Sequence, residues 1–195
     1  MLLLIIALVL LVLYMLPTYP KPRVLKGFLS ESERRYIMNE AVGKLEASSI
    51  SHNKTVDESI RKSETAWLSR EDPVVKNIML RCLKYTDRPL RNCEKLQVVR
   101  YKPGGHYRPH QDAFNDDENM RLYTFILALN DGYRGGETVF PNLKKSYRLD
   151  AGDALFFDTV NNYNFITSEA LHGGSPVHSG DKWICNLWVR KYPYP

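Results

Sequence analysis

Cysteine is scarce in this chain: Cys82, Cys93 and Cys185 are the only three among 195 residues. They match no metal-binding spacing and are too few for the disulfide framework of a small secreted scaffold. In an oxidising compartment Cys82 and Cys93 could pair, leaving Cys185 as a buried thiol. No concentrated Lys/Arg tract accompanies the net charge of +5, so no nucleic-acid partner is expected. Internal repeats are absent, and Gly, Pro and charge content are those of an ordinary globular protein. The length suffices for one domain with a sizeable core. Histidine is also rare, with five residues at positions 52, 106, 110, 172 and 178.

The amino terminus is different. Residues 1–16 carry no charge and almost nothing polar, and composition then changes abruptly at Pro17-Thr-Tyr-Pro-Lys-Pro-Arg23. The run is slightly short of a usual membrane span of ~20 residues, yet apolar on every face. No small-residue cleavage site follows it, which favours an uncleaved anchor over a removed signal. The expected organisation is thus a membrane segment within residues 1–20 and a single domain over 21–195. Lys21, Arg23 and Lys26 flank the run, and by themselves favour a cytosolic domain. Asn53-Lys-Thr55 is the sole N-glycosylation sequon.

Further on, residues 23–29 read as a short strand, and Ser30 with Glu33 forms a capping box. Tyr36, Ile37, Ala41, Val42 and Leu45 recur at helical spacing, predicting a helix to about Glu46. Residues 47–64 are polar and aperiodic and read as a flexible loop. Asp72-Pro73 opens a second helix with the stripe Ile78, Met79, Cys82 and Leu83. Strands are expected over 96–101, 107–112, 123–129, 137–140, 146–149, 154–157 and 182–190, separated by turn residues. Short strands so spaced suggest a sandwich or jelly roll, with two helices outside: a single α+β domain.

The chemistry lies in His110-Gln-Asp112. On a strand these two side chains share a face, because strand side chains alternate. A second histidine from a distant strand would complete a 2-His-1-carboxylate set, the ligand pattern of non-haem Fe(II) oxygenases. His172 suits, because the glycines of Leu171-His-Gly-Gly174 let backbone approach a crowded site. His106 and His178 follow turn and proline signals and are expected off the metal. Zinc is the rival ion, but it would leave Lys182 without a purpose. On the last strand Lys182, Ile184, Asn186, Trp188 and Arg190 share one face, and Trp183, Cys185, Leu187 and Val189 the other. A buried ammonium at Lys182 needs an anion. The distal carboxylate of 2-oxoglutarate would supply it, with a hydrogen bond from Tyr101.

Several motifs recur in order: Tyr101-Lys-Pro-Gly-Gly-His-Tyr107-Arg-Pro-His110-Gln-Asp112, Arg121-Leu-Tyr-Thr124, Gly135-Gly-Glu-Thr-Val-Phe-Pro141 and Gly152-Asp-Ala-Leu-Phe-Phe157. His172-Gly-Gly-Ser-Pro-Val177, Gly180-Asp-Lys-Trp183 and Trp188 follow, with Phe28-Leu-Ser30, Arg61-Lys-Ser63 and Trp67-Leu68 upstream. Over roughly residues 23–190 the chain resembles the prolyl 4-hydroxylases, in the small single-domain form of plants, algae and large DNA viruses. The resemblance implies a double-stranded β-helix core with flanking N-terminal helices. It implies His110, Asp112 and His172 as Fe(II) ligands, and Lys182 on 2-oxoglutarate with Tyr101 and Thr124 as supporting contacts. Tyr107, Arg121 and Trp188 would line the peptide side, with Arg61 and Ser63 on a loop closing over it.

The implied reaction is 4-hydroxylation of peptidyl proline in proline-rich or collagen-like substrates, using dioxygen and decarboxylating 2-oxoglutarate to succinate. Ascorbate would be the reductant for uncoupled turnover. Ala128 departs from oxygen-sensing relatives, which carry tyrosine there and arginine in place of Lys182. The chain thus resembles the collagen- and cell-wall-type hydroxylases more closely. The family's usual setting implies a membrane-anchored domain in the lumen of the endoplasmic reticulum, in conflict with the flanking positive charge. A different target residue, or a non-catalytic module that captures proline-rich peptides, are the rival functions. Oligomeric state is open.

Overall fold

A computed structural model describes residues 5–6, 15–50 and 55–195 of the chain. His52 and the first two residues of the sequon lie outside the described residues, as does most of the apolar run.

Among the described residues two α-helices of about three turns form where local sequence asks for them. Helix α1 spans Glu31–Val42: the Ser30 hydroxyl accepts from the Glu33 amide, and the Glu33 carboxylate accepts from the Ser30 amide at 2.8 Å. It stops at Gly43, short of Glu46, because Glu46 and Ala47 leave to pair as a strand with Thr65 and Glu64. Helix α2 spans Pro73–Leu83, with the Asp72 carboxylate accepting from the amides of Val74 and Val75, both at 2.9 Å. The Tyr36 hydroxyl donates to the same carboxylate at 2.6 Å, tying α1 to the start of α2.

Among the described residues fourteen strands and three short 3-10 turns accompany them. They are β1 (Arg23–Leu25), β2 (Glu46–Ala47), β3 (Arg61–Lys62), β4 (Glu64–Leu68) and β5 (Leu96–Tyr101). Next come β6 (His106–His110), β7 (Arg121–Ala128), β8 (Arg134–Gly135), β9 (Thr138–Phe140) and β10 (Lys145–Tyr147). The last are β11 (Ala154–Asp158), β12 (His172–Gly174), β13 (Val177–Ser179) and β14 (Lys182–Arg190). A seven-stranded sheet runs β1-β11-β7-β14-β5-β4-β2, a five-stranded sheet runs β10-β9-β12-β6-β3, and β13 pairs with β8. Every strand pairing is antiparallel. The result is the expected jelly roll.

Period-two alternation gives the large sheet two apolar faces. Val98, Phe125, Leu127, Cys185 and Leu187 point out and bury Ile37, Ala41, Val75, Ile78, Met79 and Cys82 of the helices. Val99, Ile126, Ala128 and Ile184 point inward and pack with Phe140, Leu155 and Phe157. Each large side chain so buried contributes about 1.5–3 kcal/mol.

Several expectations need correction. Among the described residues no helix is long and apolar enough to cross a membrane, which overturns the membrane anchor and the endoplasmic-reticulum placement built on it. The loop read over 47–64 contains β3 and touches β2 and β4, because strands of two residues are too short to display a period. Residues 23–29 form a strand only to Leu25 before Gly27 turns the chain with φ +58°. All three thiols are free and buried, so no Cys82–Cys93 bridge is present.

Candidate active site

The small sheet brings the two histidines together. Strands β6 and β12 pair with His172 directly opposite His110, placing their rings 4.5 Å apart. Gly173 makes this approach possible: a Cβ there would lie 2.8 Å from the Tyr107 carbonyl and 2.9 Å from the Pro109 nitrogen. Asp112 is not on the strand, as its spacing from His110 suggested. Strand β6 ends at His110, and Asp112 sits in the bend that follows. The carboxylate still meets both rings, at 3.7 Å from each Nε2. One ligand atom from each of the three residues lies within 4.8 Å of the others.

Backbone carbonyls fix the tautomers. His110 Nδ1 meets the Arg108 carbonyl at 2.9 Å, and His172 Nδ1 meets the Ala170 carbonyl at 3.1 Å. A carbonyl can only accept, so each Nδ1 carries a proton and each Nε2 is the ring atom left to face a metal. Burial, aided by His172, pushes the His110 imidazole far below its ordinary range, which keeps it neutral. Burial alone would raise Asp112, but the neighbouring His172, His110 and Arg121 and a hydrogen bond from Thr124 hold the carboxyl below its usual range. Thr124 Oγ1 donates to Asp112 Oδ2 at 2.7 Å. Two imidazoles and one carboxylate, with Asp112 and His172 only 4% and 5% exposed, form a donor set that fits Fe(II).

Lys182 opens β14 opposite Tyr101 and is 4% exposed. Its Nζ donates to the Gly136 carbonyl at 2.7 Å and lies 5.3 Å from the centre of the Tyr101 ring. Among the described residues no carboxylate comes within ion-pair distance of it. Burial, with a contribution from the Arg148 charge, lowers its pKa to about 8. An ammonium so placed fits a carboxylate of 2-oxoglutarate. Gly136, at φ +69°, holds that carbonyl where a Cβ would lie 3.1 Å from Lys182 Cδ.

The remaining residues divide. Triad and Lys182 line one cavity of about 880 Å³ together with Tyr101, Tyr107, Arg61, Arg121 and Trp188. All five residues of the inward face of β14 reach it, as the alternation predicted. Arg61 lies over the Tyr107 ring at 4.8 Å, and Tyr107 in turn stacks on His110 at 3.6 Å. Arg121 covers Trp188 at 3.7 Å. Thr124 and Ser63 stand behind the lining. Thr124 serves Asp112, and Ser63 accepts from Arg61 Nε at 3.0 Å while donating to Ser48 at 2.7 Å. Sequence reasoning missed Glu94, a buried carboxylate that accepts from Arg121 Nε at 2.6 Å and Arg190 Nε at 2.7 Å. Its partners lie 27 and 96 residues away, so no local pattern marks it.

Comparison with known proteins agrees with this geometry. The profile of the 2OG-Fe(II) oxygenase superfamily matches residues 96–190, the stretch that holds the three ligand candidates and Lys182. Fold and site therefore define a 2-oxoglutarate- and Fe(II)-dependent oxygenase. A putative prolyl 4-hydroxylase of Acanthamoeba polyphaga mimivirus is 37% identical over 184 residues, covering 89% of this chain and 75% of that protein. The viral collagen prolyl hydroxylase of Paramecium bursaria chlorella virus 1, solved with 2-oxoglutarate, superposes with a TM-score of 0.72 at 30% identity, covering 89% of this chain and 97% of that one. A prolyl hydroxylase from Trichoplax adhaerens, in complex with a hypoxia-inducible-factor peptide, shares the fold with a TM-score of 0.65 at 19% identity, covering 86% and 82%. The chain belongs to the prolyl 4-hydroxylase family. It is an oxidoreductase whose co-substrates are 2-oxoglutarate and dioxygen, with Fe(II) as cofactor and ascorbate as the reductant typical of the family.

Proposed function

We infer that residues 21–195 form a catalytic domain that hydroxylates C4 of proline in proline-rich or collagen-like peptides. The observation that carries this reading is one cavity that holds the His110–Asp112–His172 cluster, the buried Lys182 ammonium and an aromatic wall. His110, Asp112 and His172 would hold Fe(II), which when bound supplies the redox chemistry that activates dioxygen against 2-oxoglutarate. Thr124 fixes the Asp112 carboxylate, and the Arg108 and Ala170 carbonyls fix the two rings, so the three ligands are held turned toward one another. Lys182 would anchor the far carboxylate of 2-oxoglutarate, with the Tyr101 ring 5.3 Å from its ammonium. Tyr107, Arg121 and Trp188 orient the peptide, while Arg61, held on strand β3 and not on a closing loop, covers Tyr107 and shields that side from water.

The test is anaerobic loading with Fe(II) and 2-oxoglutarate, followed by oxygen in the presence of proline-rich and collagen-like peptides. Succinate formed together with a one-oxygen mass gain on proline is the expected result. Succinate without peptide oxidation moves the target to another residue. Neither product from metal-loaded protein leaves only peptide capture.

A further inference from the structure

The chain supplies a proline-rich segment of its own to the same cavity. Tyr194 and Pro195 line it alongside the metal-ligand cluster. The segment Lys191-Tyr-Pro-Tyr-Pro195 has no internal secondary structure, yet it is clamped at successive points. Asn119 accepts from the Tyr192 amide at 2.7 Å and donates to the Pro193 carbonyl at 3.2 Å. Arg70 donates to the Tyr194 carbonyl at 2.7 Å, and the Tyr194 amide donates to the Arg91 carbonyl at 2.8 Å. Arg190 lies over the Tyr194 ring at 4.6 Å, and that guanidinium shares Glu94 with Arg121, which covers Trp188. One buried carboxylate thus braces two aromatic platforms at this end of the cavity.

Other aromatic surface lies beside them without cover. Trp67 is 46% exposed, 6.2 Å from Trp188, and Phe114 is 50% exposed; both line the cavity. Exposed aromatic planes flanking a groove are the surface on which polyproline II peptides dock, since such peptides lose little entropy on binding. The groove is continuous with the metal-ligand cluster, so a peptide seated there presents a residue to it.

We propose that Tyr194 and Pro195, with Trp67 and Phe114, form a distal subsite for an extended proline-rich peptide, reading residues away from the reacting proline. The subsite rests on the functional reading above. It sets preference for long substrates over short ones.

The test compares a long proline-rich peptide with a capped Xaa-Pro-Xaa peptide on wild type, Tyr194→Ala and Tyr194→Phe. The ratio of kcat/KM for long over short peptide falls about tenfold in Tyr194→Ala, chiefly through KM, and is kept in Tyr194→Phe, whose ring still stacks on Arg190; tenfold corresponds to about 1.4 kcal/mol. Asn119→Ala loosens the segment without touching Tyr194 and lowers the same ratio. Calorimetric binding of the long peptide repeats the comparison without turnover. If wild type binds that peptide but oxidises neither, the hydroxylase reading falls, while the effect of Tyr194→Ala on Kd still decides the subsite. An unchanged ratio and Kd in both Ala variants, with melting temperatures kept, overturns it. So does faster turnover of both peptides, which would make the segment an obstruction.

Discussion

Lys182 and Asp112 are both buried charges, but they differ in what surrounds them. Asp112 has two imidazoles and a hydroxyl, whereas Lys182 has one carbonyl. Removing Asp112 as Asp112→Ala leaves the two rings without a charge to complete the metal site. Bound iron, measured by metal analysis after desalting, is expected to fall to background along with proline hydroxylation. Lys182→Ala should keep iron and raise KM for 2-oxoglutarate thirtyfold or more, since losing one partner of a buried charge pair costs about 2–5 kcal/mol. The pH dependence has a definite sign. The free protein holds Lys182 protonated only up to about 8, against the ordinary 10.5, so a bound dicarboxylate must draw a proton onto it above that point. Affinity for 2-oxoglutarate should therefore weaken as pH rises past about 8, with proton uptake seen by calorimetry in buffers of different ionisation enthalpy. The same shift makes the ligand-free fold more stable as pH rises from about 8 to 10.5, because only the unfolded chain binds this proton there. His110, Asp112, His172 and Lys182 were legible because their residue types and spacing carry chemistry. Glu94 was not legible, because its meaning lies in Arg121 and Arg190, which reach it only after folding.

Of the elements with five residues or more only β4 escaped the sequence reading, and of the shorter strands β1, β9 and β10 were anticipated. Strands β5 and β14 match the expected bounds, and the inward face of β14 is the one that alternation assigned. Strands β3, β8 and β12 have two or three residues and no period to detect, yet β12 carries His172. What positions it is register: Gly173 faces the β6 backbone with no room for a methyl group. Gly173→Ala should push β12 from β6, weakening iron binding at least tenfold by titration while secondary structure by circular dichroism stays close to wild type. Asp72→Ala tests the helical layer, where cap signals were accurate. It removes the carboxylate oxygen that accepts from two amides, together with the Tyr36 tie, and should lower stability by ~1–2 kcal/mol in denaturant melts without changing KM for 2-oxoglutarate.

At the scale of the molecule, the large sheet sits between two cores: helices on one face, the small sheet and cavity on the other. Ligands that bridge Asp112, the histidines and Lys182 join strands of both sheets. Loading with metal and 2-oxoglutarate at a hundredfold excess over Kd should therefore stabilise the fold by about 2.7 kcal/mol, seen as a raised melting temperature that chelator reverses. The amino-terminal run is where composition misled: it reads as a membrane segment, and no helix among the described residues is long and apolar enough for one.

Strand β14 follows every other described strand in the chain, yet it lies in the middle of the seven-stranded sheet, between β7 and β5. During synthesis its two neighbours therefore leave the ribosome with facing edges open and must wait for β14. Until Lys182–Arg190 emerges, each offers unpaired amides and carbonyls to any passing strand. The nascent domain is most in need of shielding just before β14 emerges. A nascent chain that has emerged only as far as Gly180 would hold a sheet with a slot where its central strand belongs.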